Sequence, residues 1–161
     1  MNNSNPNGAK RRSLVLEYDP ADPAVALTYF ESKMRFGTDP SDVHADMKNG
    51  ITDFIVVDAR SAENYAKGHI PGAINFPHRQ MTETSVTVLP KDKLIVVYCD
   101  GTGCNGSTKA AVKLTSFGFR VKEMIGGIDW WKRDGYAVHA SENIEAAATA
   151  NPQHEQIACG C

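Results

Sequence analysis

Two uninterrupted apolar runs, Phe54-Ile55-Val56-Val57 and Leu94-Ile95-Val96-Val97-Tyr98, constrain this chain more than any other feature. A strand with one wet face alternates apolar and polar residues. A run that is apolar at every position instead suits a strand buried on both faces, as in a parallel sheet between layers of helices. Helix signals surround these runs. Asp22-Pro23 reads as an N-cap followed by proline at the first helical position, with Leu27, Phe30 and Met34 at helical spacing and Gly37 as the stop. Asp39-Pro40 repeats that start, with Val43 and Met47 on the apolar side of a shorter helix ending at Gly50. Ser61 is placed to cap a short helix through Tyr65. Gly68-His69-Ile70-Pro71-Gly72 is turn chemistry ahead of a short strand over residues 73–76. Residues 107–117 read as a helix with Ala110, Leu114 and Phe117 on one face and Gly118 as its stop. Residues 121–125 read as a further strand, and Gly126-Gly127 opens a last helix carrying Trp130 and Trp131, both expected in the core. Strands alternating with helices predict an α/β domain: a mostly parallel central sheet flanked by helices on both faces.

Composition bounds the function classes. The 161 residues suit one domain with some tail. With 42% hydrophobic and 22% charged residues, the chain has the balance of a soluble globular protein. Its net charge of −2 provides no basic footprint for nucleic acid. No apolar run approaches the ~18–20 residues needed to cross a bilayer, so neither nucleic acid nor membrane is an expected partner. Residues 1–18 are rich in Asn and poor in aromatics and read as a disordered arm. The apolar stretch after Lys10-Arg11-Arg12 is too short for an export signal, which makes the cytoplasm the expected location. Beyond residue 140 apolar periodicity ceases. The domain is therefore expected over 19–140, and a flexible tail over 141–161 ending in Cys159-Gly160-Cys161. The other two cysteines are Cys99 and Cys104. Two such clusters in an intracellular chain point to redox, persulfide or metal chemistry rather than a disulfide scaffold.

The segment that carries chemistry is a strand, Cys99, a glycine-rich loop and a helix, in that order. Ligand sites of open α/β sheets lie beyond the carboxyl ends of the strands, where Cys99 falls. A glycine-rich loop turns successive N–H groups inward as an anion nest, and the helix adds its own free N–H groups and the positive end of its dipole. Such surroundings favour thiolate over thiol and lower a cysteine pKa from ~8.5 towards ~4–7. The bland alternative is an inert cysteine finishing a buried strand. Cys104 is close enough in sequence to reach a sulfur carried on Cys99 and release it as sulfide by closing a disulfide; the alternative is a small residue that merely fits. Cys159 and Cys161 suit a sulfur acceptor, a reducing pair or a soft-metal hook, or have no defined role.

Val56-Val57-Asp58-Ala59-Arg60, then Tyr65, then Gly68-His69-Ile70-Pro71-Gly72-Ala73-Ile74-Asn75 resembles the signature of the rhodanese family. Val96-Val97-Tyr98-Cys99 with its glycine-rich loop, Ser107 and Ala110-Ala111 resembles that family's active-site region, and Gly118-Phe119 through Gly126-Gly127 to Trp131 its closing segment. The resemblance spans residues 39–138 and implies a rhodanese-like fold and a sulfurtransferase. It implies that Cys99 attacks the sulfane sulfur of a donor, becomes a persulfide and passes the terminal sulfur to cyanide or a thiol. The loop Asp100, Gly101, Thr102, Gly103, Cys104, Asn105, Gly106 and Ser107 would cradle that persulfide, with Asp58, Arg60 and Lys109 in support. His69 would brace its turn rather than act as a base. The implied partners are a small sulfur donor and a thiol acceptor, or a protein acceptor; no cofactor and no metal are expected. One departure concerns the loop, which is two residues longer than in many rhodaneses and holds Asp100 but no Arg. Efficient use of thiosulfate is therefore not implied. Two other functions stay open. A rhodanese-fold phosphatase or arsenate reductase would need Arg where Asn105 stands, and a non-catalytic sulfur carrier or redox module would act only with a protein partner.

Overall fold

The structure, a computed structural model, describes residues 13–140. Two compact units meet at Lys33/Met34. The first contains most of helix α1 (Pro23–Phe36), where the Asp22 carboxylate accepts from the Ala24 N–H at 2.9 Å. None of the fourteen residues of α1 is buried, and Leu27, Phe30 and Met34 are exposed. Their spacing therefore marks a helix but not a covered face. The disordered arm expected over residues 1–18 lies largely outside the described residues, as does the whole tail expected over 141–161.

The second unit holds five parallel strands: β1 (Gly37–Thr38), β2 (Phe54–Asp58), β3 (Ile74–Asn75), β4 (Leu94–Tyr98) and β5 (Val121–Met124). Their order across the sheet is β1-β5-β4-β2-β3, so the two apolar runs form its centre. Every pairing is parallel, and β2 lies beside β4 with Val57 opposite Val97 and Asp58 opposite Tyr98. Helices flank the sheet: α2 (Pro40–Lys48), α3 (Ala62–Lys67), α4 (Gly106–Ser116) and α5 (Gly127–Arg133). Alternate residues of the central strands feed two separate cores. Val57, Ile95 and Val97 pack with Ala110 and Leu114 of α4 and with Met81, Val86 and Leu89. Val56, Val96 and Tyr98 pack on the other side with Val43 of α2 and with Ile128 and Trp131 of α5. That is why the runs are apolar throughout: Val56, Val57 and residues 95–98 are buried, and Phe54, Ile55 and Leu94 at the strand starts are partly buried against the same cores. Each fully buried Val or Ile contributes about 1.5–3 kcal/mol of transfer free energy.

Local rules set the helix starts. Asp39 caps α2 by accepting from the Asp42 N–H at 2.9 Å, and Ser61 caps α3 by accepting from Asn64 at 3.3 Å. Helix α4 begins one residue earlier than its sequence pattern predicts, and β3 and β5 are shorter than expected, differences typical of element ends. Strand β1 had no sequence signal, being two residues long; it pairs with β5 at the sheet edge. No described helix is long and apolar enough to cross a membrane.

Candidate active site

The carboxyl ends of β2 and β4 place Asp58 beside Tyr98, and Cys99 is the next residue. The Asp58 side chain is inaccessible to solvent and accepts four kinds of donor: the Arg60 backbone N–H at 3.0 Å, Arg60 Nε at 2.9 Å, Arg60 Nη2 at 2.6 Å and the Tyr98 hydroxyl at 2.5 Å. Arg60, also buried, donates from Nη2 to the Gly68 carbonyl at 2.7 Å and lies 3.4 Å from Asp100 through Nη1. Burial alone would lower the pKa of this guanidinium. The hydrogen bond and charge of Asp58 outweigh it and hold Arg60 above its ordinary value, so it stays charged. Burial and the Asp58 charge push the Tyr98 phenol up, which keeps it protonated to donate. Removing one partner of such a buried pair leaves the other uncompensated, at a cost of about 3–5 kcal/mol. The network fixes the strand ends and turns that carry the loop.

The loop from Cys99 to Asn105 is held on both sides. Behind it, the N–H groups of Ile128 and Asp129 donate to the Cys99 and Asp100 carbonyls at 3.0 and 2.9 Å. That approach requires Gly127, whose φ is +57° and whose place a Cβ would put 2.4 Å from the Cys99 carbonyl oxygen. Ahead of it, the Cys104 N–H closes a turn to the Gly101 carbonyl at 3.0 Å, and α4 begins at Gly106. The first N–H groups of that helix have no acceptor within it.

Cys99 is almost wholly buried and is joined to Cys104 in a disulfide, with a Cα–Cα distance of 6.5 Å. Cys99, Asp100 and Cys104 also offer ligand atoms within 4.8 Å of one another, although the disulfide leaves no thiolate to give a cation.

A hollow of about 290 Å³ opens over the loop between Gly101–Asn105 on one side and residues 123–127 on the other. Ser107 also lines this hollow and donates its hydroxyl to Glu123 Oε1 at 2.6 Å; Thr108 does the same at 2.9 Å. Lys109 is not brought to this hollow. It lines a separate one of about 590 Å³ with His78, Arg79, Lys113 and the loop residue Asn105. There His78 is buried with Nε2 unpartnered, and burial, then Lys109, Arg79 and Lys113, lowers its pKa. His69 sits in its turn, with Nδ1 2.9 Å from the Tyr65 carbonyl and its backbone paired with His139. Trp131 is in the core and Trp130 is half exposed; neither lines the hollow over the loop. Cys159 and Cys161 lie outside the described residues. Sequence reasoning passed over Glu123, Tyr98 and the backbone role of Gly127. Only Gly127 had a local signal, the glycine pair at a helix start.

A parallel sheet with a cysteine at the end of its central strand, looping into a helix N-terminus, defines an α/β protein with a cysteine-centred site. The family model of the rhodanese-like domain matches residues 39–134, and this chain belongs to that family. A solved protein of Bacillus halodurans is 42% identical with a TM-score of 0.72; the likeness covers 74% of this chain and 88% of that one. A sulfurtransferase of Allochromatium vinosum is 31% identical over 90 residues, 56% of this chain and 82% of the relative. An HTH-type transcriptional regulator of Mycobacterium tuberculosis is 36% identical over 83 residues, 52% of this chain. The chain spans only about a third of that regulator's length, so the shared part is one module of a larger protein.

Proposed function

We propose that this protein is a sulfurtransferase that moves a sulfane sulfur through a persulfide on Cys99. The observation that carries this reading is the position of Cys99, directly after β4 and joined by a loop ending at Cys104 and Asn105 to the start of α4. Reduced Cys99 thiolate attacks the sulfane sulfur of a donor. The donor's sulfur–sulfur bond breaks, its remainder leaves with the electron pair, and Cys99 holds a persulfide. A thiol or cyanide then attacks the terminal sulfur and regenerates the Cys99 thiolate, giving ping-pong kinetics. Asp58 and Arg60 act as positioning residues, and the loop from Asp100 to Ser107 supplies the cradle. The partners are a small donor and a thiol or protein acceptor. The reduced state that the chemistry needs fits the cytoplasm.

The test starts from protein reduced to open the disulfide and then freed of reductant. Incubation with thiosulfate, mercaptopyruvate or persulfidated glutathione is followed by mass spectrometry of the Cys99 peptide. One added sulfur is expected on Cys99 with at least one donor in Cys104→Ser, where no neighbouring thiol can discharge it, and none in Cys99→Ser. No gain with any donor would refute the proposal. A non-catalytic redox module is the second reading, favoured by the Cys99–Cys104 disulfide. It predicts a stable disulfide and negligible turnover on small donors.

A further inference from the structure

We infer that Cys104 is a second catalytic residue, which discharges the Cys99 persulfide from within the loop, releases hydrosulfide and leaves a disulfide for a dithiol reductant. This inference rests on the sulfurtransferase reading above and specifies its second half-reaction. The two sulfurs are bonded across a five-residue separation, so the loop backbone already adopts the geometry of the product. Their accessibilities differ. Cys99 is 1% exposed, whereas Cys104 is half buried among the exposed Thr102, Gly103 and Asn105. A thiol from solution meets the terminal sulfur of a persulfide, at the mouth of the site. The inner sulfur, Cys99 Sγ, lies at the bottom, and Cys104 is the thiol positioned to reach it.

Cys104 is also prepared to act as a nucleophile. The Gly106 N–H, first of α4, lies 3.4 Å from Cys104 Sγ and donates to it, an arrangement that favours the thiolate once the disulfide opens. The step balances as follows. Cys104 thiolate attacks Cys99 Sγ, the bond between Cys99 Sγ and the terminal sulfur breaks, and that sulfur leaves with the electron pair as HS⁻. The sulfane sulfur gains two electrons, and the two cysteines lose them in forming their disulfide. The leaving sulfur has a way out, because the loop borders the hollow of about 290 Å³ and a Cβ at Gly103 would meet nothing within 4 Å. To reset the site, an external dithiol attacks Cys104 Sγ, the more accessible sulfur. Cys99 departs as the thiolate, and the reductant's second thiol then frees Cys104. The net product is sulfide rather than a sulfurated acceptor, and the consumed partner is a dithiol.

The experiment uses full-length wild type, Cys104→Ser and Cys104→Ala, reduced, desalted under argon and charged with thiosulfate or persulfidated glutathione carrying labelled sulfane sulfur. Excess donor is removed, and labelled sulfide and intact mass are followed with no thiol present. Wild type is expected to release about one sulfide per chain, stop with Cys99 and Cys104 linked, and resume when a dithiol is added. Both variants are expected to keep the label on Cys99, with release slowed about tenfold or more because the intramolecular thiol is gone. Release from both variants at the wild-type rate, or wild type that retains its persulfide with Cys104 still alkylatable, overturns the inference and leaves the sulfurtransferase reading standing. Failure of both variants and wild type to take label on Cys99 overturns both.

Discussion

Gly127→Ala tests whether the first turn of α5 presses on the backbone of the reactive cysteine. The position has φ +57°, and placing a Cβ there costs about 1–2 kcal/mol from left-handed strain alone. The same Cβ would stand 2.4 Å from the Cys99 carbonyl oxygen and 2.8 Å from that of Asp100, so one of the two segments must move. Either movement pulls apart the hydrogen bonds from Ile128 and Asp129 to those carbonyls. Each is worth about 0.5–1.5 kcal/mol net, and more if a buried group is left unpaired. The sum is about 2–5 kcal/mol, a large share of the ~5–15 kcal/mol that holds an ordinary domain folded. Urea titration followed by circular dichroism reads the loss directly, and Tm should fall by about 10 °C or more. Gly103→Ala is the comparison, since its Cβ would meet nothing within 4 Å and its change in stability should stay below ~1 kcal/mol. If Gly127→Ala is equally mild, the contact between α5 and the Cys99 carbonyl does not hold the loop, and the account of how Cys99 is positioned fails.

Two further outcomes are expected. His78 is held below its ordinary pKa by burial and by Lys109, Arg79 and Lys113, so the unfolded chain takes up a proton there before the folded one does. Stability should therefore be intact above ~6.5 and lost as pH falls from there through the lower folded value. His78→Gln should start less stable but lose less between about pH 7.5 and about pH 5.5, as read from urea midpoints; equal losses would remove His78 as the cause. A chain ending at Ala140 keeps the His69–His139 pairing and the hydrogen bond from Trp131 Nε1 to the Ala137 carbonyl. Its Tm should stay within about 3 °C of full length, and a larger fall would show that residues 141–161 carry part of the fold's stability.

The centre of the fold was legible because its residues have one physical option each. In β2 and β4 adjacent residues enter opposite cores, so the pattern is apolar without a gap and reads as a parallel strand from local sequence. Capping is equally local, and Asp39 and Ser61 announce α2 and α3 through bonds three residues away. What escaped is long-range or angular. Glu123 reaches Ser107 and Thr108 because β5 lies beside β4, a pairing between segments about 25 residues apart that no local period encodes. Lys109 is near Cys99 in sequence, yet each helical residue turns the side chain by about 100°, and by the first turn of α4 the lysine has swung to the His78 side. Tyr98 read as the last apolar residue of a strand. Its hydroxyl, bonded to Asp58 and accepting from the Ile70 N–H at 3.1 Å, makes it equally the link between the two strand ends.

These placements change the electrostatic picture of the site. A small dianionic donor is best served by a cation at the mouth of the pocket, and the loop contains none. The structure goes further, because the nearest lysine of α4 serves another hollow and the hollow over the loop is lined by the Glu123 carboxylate. That carboxylate takes hydroxyl donors from two residues in the first turn of α4, the end whose positive dipole would otherwise be available to an incoming anion. The buried positive charge nearest the loop, Arg60, is already committed to Asp58 and approached by Asp100. The Gly106 N–H donates to Cys104 Sγ at 3.4 Å, and a backbone amide of this kind is short-ranged and holds one small anion rather than attracting a second. Under the sulfurtransferase proposal, such a site is expected to favour donors whose sulfane sulfur arrives on a neutral or singly charged carrier, and the Glu123 carboxylate is expected not to retain the HS⁻ released by the proposed discharge step.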